Sequence, residues 1–252
     1  MNVIPLFKSH YSLGRSILTL QTPDSRIEDG PNSIIDLAIE NNIKKLFLVE
    51  DNMSSFLEAY THCKENDLRL VYGIRMTFCP DMDDKSEDSR SKSCKYIIFI
   101  KSTEGYKKLI NIYSTAAKRG FYYEPRMDFK TLKENWGNDD LLLAVPFYDS
   151  FIYKNSLTYS VCIPEIDFTE PVFFIESNSL PFDELLEEKV KKYCHKKHEI
   201  IKTKSIYYKS KDDFKSYLTF RCINKRSTLN RPQLDHMSSD EFCLESWREK
   251  NA

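Results

Sequence analysis

The stretch from Lys95 to Asp128 constrains the fold of this chain more than any other. It begins with Lys95–Lys101 (KYIIFIK), an apolar run rich in β-branched and aromatic residues, which predicts a strand buried on both faces, as in a parallel sheet. The serine and threonine that follow offer an N-cap, and apolar residues at helical spacing predict a helix that Gly120 ends in the usual C′ position. Three consecutive aromatic residues come next, before a new helix start at Asp128. The residues therefore predict one β/α unit followed by an aromatic loop.

The same alternation of apolar strands and amphipathic helices recurs along the chain. Further strands are predicted at 45–50, 69–78, 140–146, 171–176 and 199–208, with helices between them. These strands are too apolar for one face to be in water, so the class is α/β with a mostly parallel sheet. Periodicity does not separate an open sheet from a closed barrel. Ser33 and Asp36 form a capping-box-like pair that predicts the start of the first helix.

No break in composition divides the chain, and we expect a single domain over residues 1–252. Residues 81–92 are charged and rich in serine without any periodicity, which predicts a solvated loop that is a candidate for disorder. The formal net charge of −1 provides no global attraction to nucleic acid. No signal-like N-terminus or long apolar run is present, and the seven cysteines are scattered, which favours free thiols in a reducing cytoplasm.

Three motifs give the chain a family resemblance. The stretch from Thr103 to Asp128, with its GFYYEPRMD, resembles the "GFYYKPRID" region of the PHP (polymerase and histidinol phosphatase) domain of bacterial DNA polymerase III α subunits. Pro5–Leu13 resembles the family's "PLHVHSHYSLLDG" with one residue missing, and Ser239–Ser246 resembles its "DEFYLKS". The resemblance implies a distorted seven-stranded β/α (TIM-like) barrel of the PHP type, with its metal site at the C-terminal ends of the strands.

Active members of this family bind several metal ions through His, Asp, Glu and Cys side chains, which activate water and hold a phosphate ester. The corresponding positions here are Phe7, Lys8, Arg15, Asp51, Arg75, Lys95, Phe147, Ser205 and Tyr207. Only Asp51 offers an oxygen ligand, with Glu50 and His10 close by in sequence. Divalent cations need carboxylate oxygens or neutral imidazole, whereas two like charges at about 4 Å repel by about 4 kcal/mol even at an effective dielectric constant of about 20.

We therefore expect no catalytic residue, no bound metal and no cofactor. Instead we expect an ion-pair cluster in which Lys and Arg pair with Glu50 and Asp51. Two alternatives remain open: a single metal at Glu50, Asp51 and His10, or a zinc or manganese site rebuilt from shifted residues.

Other candidate sites are weaker. His195 and His198 have a spacing that could bind metal on a helix, but they lie among lysines, and a solvated basic helix end is the preferred interpretation. Residues 189–215 combine many lysines with tyrosines, as a nucleic-acid patch would, but acidic residues interrupt them, so an ordinary solvated face is preferred. As partner-contact candidates we select the aromatic loop Phe121, Tyr122 and Tyr123, together with the segment 147–170.

By resemblance, the chain is the N-terminal PHP domain of a DNA polymerase III α subunit in DNA replication or repair. The nucleotidyltransferase palm of this DNA-directed DNA polymerase is expected beyond residue 252. This domain would be catalytically inactive and would brace the polymerase, with the rest of the α chain, a proofreading exonuclease subunit and DNA (through the full polymerase) as partners. The alternatives are a metal-dependent 3′–5′ exonuclease or phosphoesterase, and a free-standing adaptor.

Overall fold

The structure is a computed structural model that describes residues 3–21, 30–230 and 239–251. In these ranges the strands are β1 (Ile4–Phe7), β2 (Lys45–Glu50), β3 (Arg69–Phe78), β4 (Cys94–Ile100), β5 (Arg126–Met127), β6 (Leu141–Val145), β7 (Val172–Ile175) and β8 (Ile200–Ile206). The helices are α1 (Ile34–Glu40), α2 (Phe56–Glu65), α3 (Glu87–Ser91), α4 (Thr103–Lys118), α5 (Phe129–Glu134), α6 (Phe151–Leu157), α7 (Asp183–Cys194), α8 (Phe214–Lys225) and α9 (Leu244–Asn251).

The chain divides into two compact units, each assembled from separate segments. Unit 1 comprises residues 1–72, 176–183 and 202–252, and unit 2 comprises residues 73–175 and 184–201. In unit 1, β1 lies between β2 and β8 and is parallel to both, with Leu6 opposite Phe47 on one side and Ser205 on the other. The C-terminal ends of these three strands therefore lie at one edge.

In unit 2 the strand order is β7-β6-β4-β3-β5. The pairs β6–β7 and β3–β5 are parallel, whereas β4 is antiparallel to both β3 and β6. The core of this unit is built on β4 and β6, whose apolar side chains are almost all buried. Aromatic rings fill the space between strands and helices, as where Tyr96 meets Phe129 with ring centroids 5.2 Å apart.

The predicted fold class is confirmed. The chain has the α/β alternation of a distorted TIM-like β/α barrel of the PHP type. Within the described ranges, seven strands have four or more residues, and β5 has only two. The predicted strands all form, with ends that differ by a few residues at most.

The inference that the run at Lys95–Lys101 lies in parallel pairing was wrong, because β4 is antiparallel on both sides. Its apolar composition reflects burial on both faces, and a strand covered on both faces needs apolar residues whatever the direction of its neighbours.

One local prediction was wrong in mechanism, and another was right in position. The Ser33 side chain does not cap α1, and its hydroxyl donates to the carbonyl of Gln21 at 2.5 Å. Gly120 lies at the C′ position of α4, directly after the C-cap residue Arg119, as predicted, although it is not among the described residues with positive φ. Glycine is required there by close approach: a Cβ would lie 1.9 Å from the carbonyl oxygen of Arg126.

The charged segment 81–92, predicted as a loop, contains α3. The hydroxyl of Ser86 accepts a hydrogen bond from the backbone N–H of Ser89 at 3.1 Å, and Glu87 and Asp88 lie in the first turn, where the helix dipole favours acidic side chains. A cap and favourable charges therefore support this short helix although its sequence has no apolar periodicity.

Candidate functional site

The carboxylate of Asp51 lies beside cationic side chains at the edge where β1 and β2 end in unit 1. Lys8 directly follows β1 and Asp51 directly follows β2, and Phe7 pairs with Leu48 in parallel register. Lys8 Nζ lies 2.7 Å from Asp51 Oδ1, with the Lys8 side chain only 5% exposed. Arg15 Nε lies 3.8 Å from the other carboxylate oxygen. The predicted pairing of Asp51 with cations is thus confirmed.

Glu50 accepts hydrogen bonds that were not predicted, while the predicted cation Lys8 acts on it electrostatically. Its side chain is fully buried and accepts hydrogen bonds from the backbone N–H of Ser9 at 2.9 Å and from the hydroxyl of Ser12. The Ser12 oxygen also accepts the backbone N–H of Asp51 at 2.9 Å. Burial raises the pKa of Glu50, and Lys8 together with the serine hydrogen bonds offsets part of that increase. Glu50 therefore anchors the loop after β1 to the end of β2.

Ser205 on β8 and Tyr207 directly after β8 form hydrogen bonds with neighbouring polar groups. Neither lies in a described group of three or more metal-ligating side chains. Ser205 donates from its N–H and its hydroxyl to Glu176, at 3.0 and 2.8 Å. The Tyr207 carbonyl accepts the hydroxyl of Ser16 at 2.9 Å. The buried carboxylate of Glu176 was missed by the sequence reasoning. The available signal was its position directly after an apolar strand, one residue further on than Glu50, which is the last residue of β2.

The positions of the family's ligand pattern that lie in unit 2 also carry paired cations or an apolar ring. Arg75 Nη2 lies 2.7 Å from Asp149 Oδ2, and Lys95 Nζ lies 2.7 Å from Glu124 Oε2. Phe147 is fully buried. The sequence predicted the cations but not these carboxylate partners, which are separated from them by tens of residues.

These side chains do not fit a multi-metal centre. The carboxylate that could serve as a ligand, Asp51, already accepts a short hydrogen bond from an ammonium group. A divalent cation there would have to displace Lys8 into solvent and face Arg15. Throughout the described ranges, no group of three or more His, Cys, Asp or Glu side chains is arranged to hold a metal ion. His10, considered with Glu50 and Asp51, is exposed, and its ring centroid lies 4.5 Å from that of Tyr11.

The two other candidate sites are dispersed. Helix α7 ends at Cys194, so His195 and His198 are not on one helical face, and the His198 ring packs 5.1 Å from that of Phe173. The lysine-rich stretch does not form one solvated surface, because Lys204 is buried and its Nζ lies 3.2 Å from Glu241.

The aromatic loop presents two of its three rings outward. Phe121 is 54% exposed and Tyr123 is 67% exposed. Tyr122 is half-buried: its hydroxyl donates to Glu87 at 3.0 Å and the guanidinium of Arg126 lies over its ring at 5.1 Å. Tyr123 has a φ of 62°, an uncommon left-handed conformation for a bulky residue. The loop is therefore held in a defined shape, in which the Phe121 ring is exposed and the exposed Tyr123 ring has the Arg90 guanidinium over one face at 4.4 Å.

None of the helices in the described part of the chain combines the length and the apolar character that crossing a membrane requires.

Comparison with known proteins places these observations in a family context. The sequence profile of the PHP domain family matches residues 25–153. Similar relatives include DNA polymerase III subunit alpha of Chlamydia muridarum, 32% identical over 101 residues that cover 39% of this chain and 8% of the relative. The same subunit of Helicobacter pylori strain J99 is 33% identical over 113 residues, covering 42% and 9%. That of Campylobacter jejuni is 22% identical over 241 residues, covering 86% and 20%. The chain thus matches between 8% and 20% of the length of these curated relatives.

Proposed function

The chain belongs to the PHP domain family, and from that premise we propose that it acts as a catalytically inactive PHP domain of a cytoplasmic DNA polymerase III α-like protein. In this role it serves DNA replication or repair as a structural and partner-docking domain. Its partners are the remainder of the polymerase chain, a proofreading exonuclease subunit, and DNA through the full polymerase. The similarity to α subunits along most of the chain supports this assignment.

The ion pair between Lys8 and Asp51 carries the proposal of inactivity. A phosphoesterase of this family would need an anionic or imidazole donor at both positions, and here an almost fully buried ammonium group lies 2.7 Å from the carboxylate. The paired guanidinium of Arg75 and ammonium of Lys95 occupy two further positions of the family's ligand pattern. At each of these positions the charge is therefore neutralised within its own unit, without a metal.

The exposed rings of the aromatic loop support the docking role. Phe121 and Tyr123 offer apolar area on a loop whose conformation is restrained by Tyr122 and Arg126. Aromatic side chains that are already ordered lose little conformational entropy when a partner covers them.

Metal analysis and hydrolysis assays together test the proposal. The protein is purified without chelator, its zinc and manganese content is measured, and it is then assayed with p-nitrophenyl phosphate and with a 3′-hydroxyl single-stranded DNA in added Zn²⁺ or Mn²⁺. We expect well under one metal ion per chain and no hydrolysis above the buffer blank.

The Asp51→Asn variant is the matched control for that assay. If any residual hydrolysis comes from a contaminant, the variant and the wild type show the same rate. Near-stoichiometric metal in the wild type, or hydrolysis that Asp51→Asn abolishes, would show that the chain is a phosphoesterase and would overturn the proposal of inactivity.

Partner docking is tested separately with the exonuclease subunit. Binding of that subunit is measured by titration for the wild type, for Phe121→Ser with Tyr123→Ser, and for Tyr60→Ser, which removes a half-exposed ring from α2. We expect at least about a ten-fold loss for the loop variant and no change for the control, in line with the central role of aromatic residues at interfaces. Equal binding by all three proteins would exclude the loop as the docking surface.

A further inference from the structure

A cavity in unit 2 is lined by reactive side chains that the proposed function does not use. Its volume is about 440 Å³, and it is a partly open pocket lined by residues at or near the ends of β3, α3, β4 and α5 and by the irregular segment after α6. Three thiols line it, those of Cys79, Cys94 and Cys162, among rings and aliphatic side chains that include Phe78 and Phe129. All three cysteines are free.

Two of these thiols interact with each other. Cys94 is the first residue of β4, and Cys162 lies in the segment without regular structure that follows α6. The Asn155 side chain fixes that segment, because its amide donates to the Cys162 carbonyl at 2.9 Å and its oxygen accepts the Cys162 N–H at 2.7 Å. Cys94 and Cys162 line the same cavity, and each thiol is the main influence on the pKa of the other.

The pKa values of these two thiols are shifted in opposite directions. The hydrogen bond from Cys94, together with the charge of Lys154, lowers the pKa of Cys162, whereas the same hydrogen bond and burial raise the pKa of Cys94. Cys79, in the same cavity, has its pKa raised to about 11 by burial, and its thiol donates to the Met127 carbonyl at 3.6 Å. A thiolate is the nucleophilic form of cysteine, so one thiol of the three is poised to react.

We propose that Cys94 and Cys162 form a redox-active dithiol, in which small hydroperoxides that enter the cavity convert the pair to a disulfide. The observations that carry the proposal are the position of both thiols in the lining of one cavity and the clamp that Asn155 provides on the Cys162 backbone. Transient disulfides of this kind in reducing compartments are usually catalytic or redox-sensing.

The chemistry balances with the hydroperoxide as the oxidant. The Cys162 thiolate attacks the distal oxygen of the hydroperoxide, the O–O bond breaks, and the other oxygen leaves as an alcohol or as water after taking up a proton. Cys162 is then a sulfenic acid. The sulfur of Cys94, giving up its proton, attacks the Cys162 sulfur, the S–O bond breaks, and water leaves. Two thiols have lost two electrons and two protons, and the peroxide has been reduced.

The disulfide would have a structural consequence. It would tie the irregular segment, whose Val161 and Ile163 are 64% and 77% exposed, covalently to the first residue of β4. Apart from the two hydrogen bonds to Asn155, that segment forms no regular structure, so its backbone can adjust to the geometry that an S–S bond requires.

Peptide mapping after peroxide treatment tests the proposal. The reduced protein is exposed to a few equivalents of hydrogen peroxide, remaining thiols are blocked with an alkylating agent, and non-reduced digests are analysed by mass spectrometry. We expect the peptides of Cys94 and Cys162 to be joined, with the mass of two hydrogen atoms lost, and dithiothreitol to restore them. Cys79, Cys63 and Cys194 should remain alkylated and unlinked.

Variants make the outcome specific. Cys94→Ala should leave Cys162 as a trapped sulfenic acid. Cys162→Ala should abolish the reaction at Cys94. Cys79→Ala is the matched control from the same cavity and should react as the wild type does. Asn155→Ala should slow disulfide formation by about ten-fold or more while keeping both thiols. Oxidation of Cys162 without a link to Cys94, or equal oxidation of Cys79, would overturn the proposal. The readout involves neither metal nor partner, so its failure is distinct from failure of the proposed function.

Discussion

Removal of the Lys8–Asp51 ion pair gives the sharpest energetic test of the site. At 2.7 Å and an effective dielectric constant of about 20, the gross Coulomb attraction is about 6 kcal/mol. Desolvation of Lys8 cancels much of it, and Asp51, 33% exposed, keeps contact with water and with Arg15. We therefore expect a net coupling free energy of about 1–2 kcal/mol, between the values typical of exposed and of buried pairs.

A double-mutant cycle measures this coupling. Unfolding free energies are determined by urea denaturation for the wild type, Lys8→Met, Asp51→Asn and the double variant at pH 7. The expected cost of Lys8→Met alone is about 2 kcal/mol, because it leaves the carboxylate with fewer partners. Repeating the cycle in Mn²⁺ should give the same coupling, because the carboxylate binds an ammonium group and not a metal.

The exposed pair between Lys92 and Asp88, 2.6 Å apart with side chains 43% and 69% exposed, is the matched control. The cycle of Lys92→Met with Asp88→Asn should show a coupling of no more than about 0.5 kcal/mol. If the Lys8–Asp51 coupling is no larger than this control, or if Mn²⁺ stabilises the wild type but not Asp51→Asn, then the site is not the neutralised ion pair described above.

Three further perturbations test neighbouring parts of the structure by urea denaturation. Burial raises the pKa of Glu50 above 4.5, so the stability that protonated Glu50 contributes is present at low pH and is lost as pH rises through the folded pKa. Glu50→Gln should therefore gain unfolding free energy relative to the wild type as pH rises above 4.5. A difference that stays constant with pH would contradict this. Burial lowers the pKa of Lys204 from 10.5 to about 8. The unfolding free energy of the wild type should therefore rise by up to about 3 kcal/mol from pH 8 to 10.5 relative to that of Lys204→Met. The exposed control Lys202→Met should follow the wild type. Gly120→Ala should lower the unfolding free energy by about 2 kcal/mol or more, because its Cβ would lie 1.9 Å from the carbonyl oxygen of Arg126; an unchanged value would show that the backbone relaxes freely there.

Much of the fold could be predicted because its determinants are local. The apolar runs at β2, β3 and β4 and the N-cap of α4 at Ser102 lie within a few residues of the structure they specify. The GFYYEPRMD stretch, read as a family resemblance, predicted the barrel type, which periodicity alone could not. Helix α3 was missed because a cap and two acidic residues, without an apolar face, are a weak signal in a charged segment.

The candidate site was predictable only in part. The family resemblance predicted that Lys8 and Arg15 would lie near Asp51, because it assigns all three to one ligand site. It did not predict that Glu50 would bind serines, or that Glu176 would bind Ser205. Those contacts depend on side-chain directions in loops, for which no periodic pattern exists.

By itself, then, the sequence determined the order and approximate ends of the longer strands and of most described helices, though not β5, α3, α6 or α9, and it determined which positions of the family's ligand pattern are cationic. Only the tertiary structure decided that β4 runs antiparallel to both neighbours, that Arg75 meets Asp149, and that Cys94 meets Cys162. The physical reason is the distance along the chain over which each effect acts. Propensity, capping and burial periodicity act over only a few residues. Pairing between residues tens of positions apart depends on how the whole fold closes, and only the folded chain determines that.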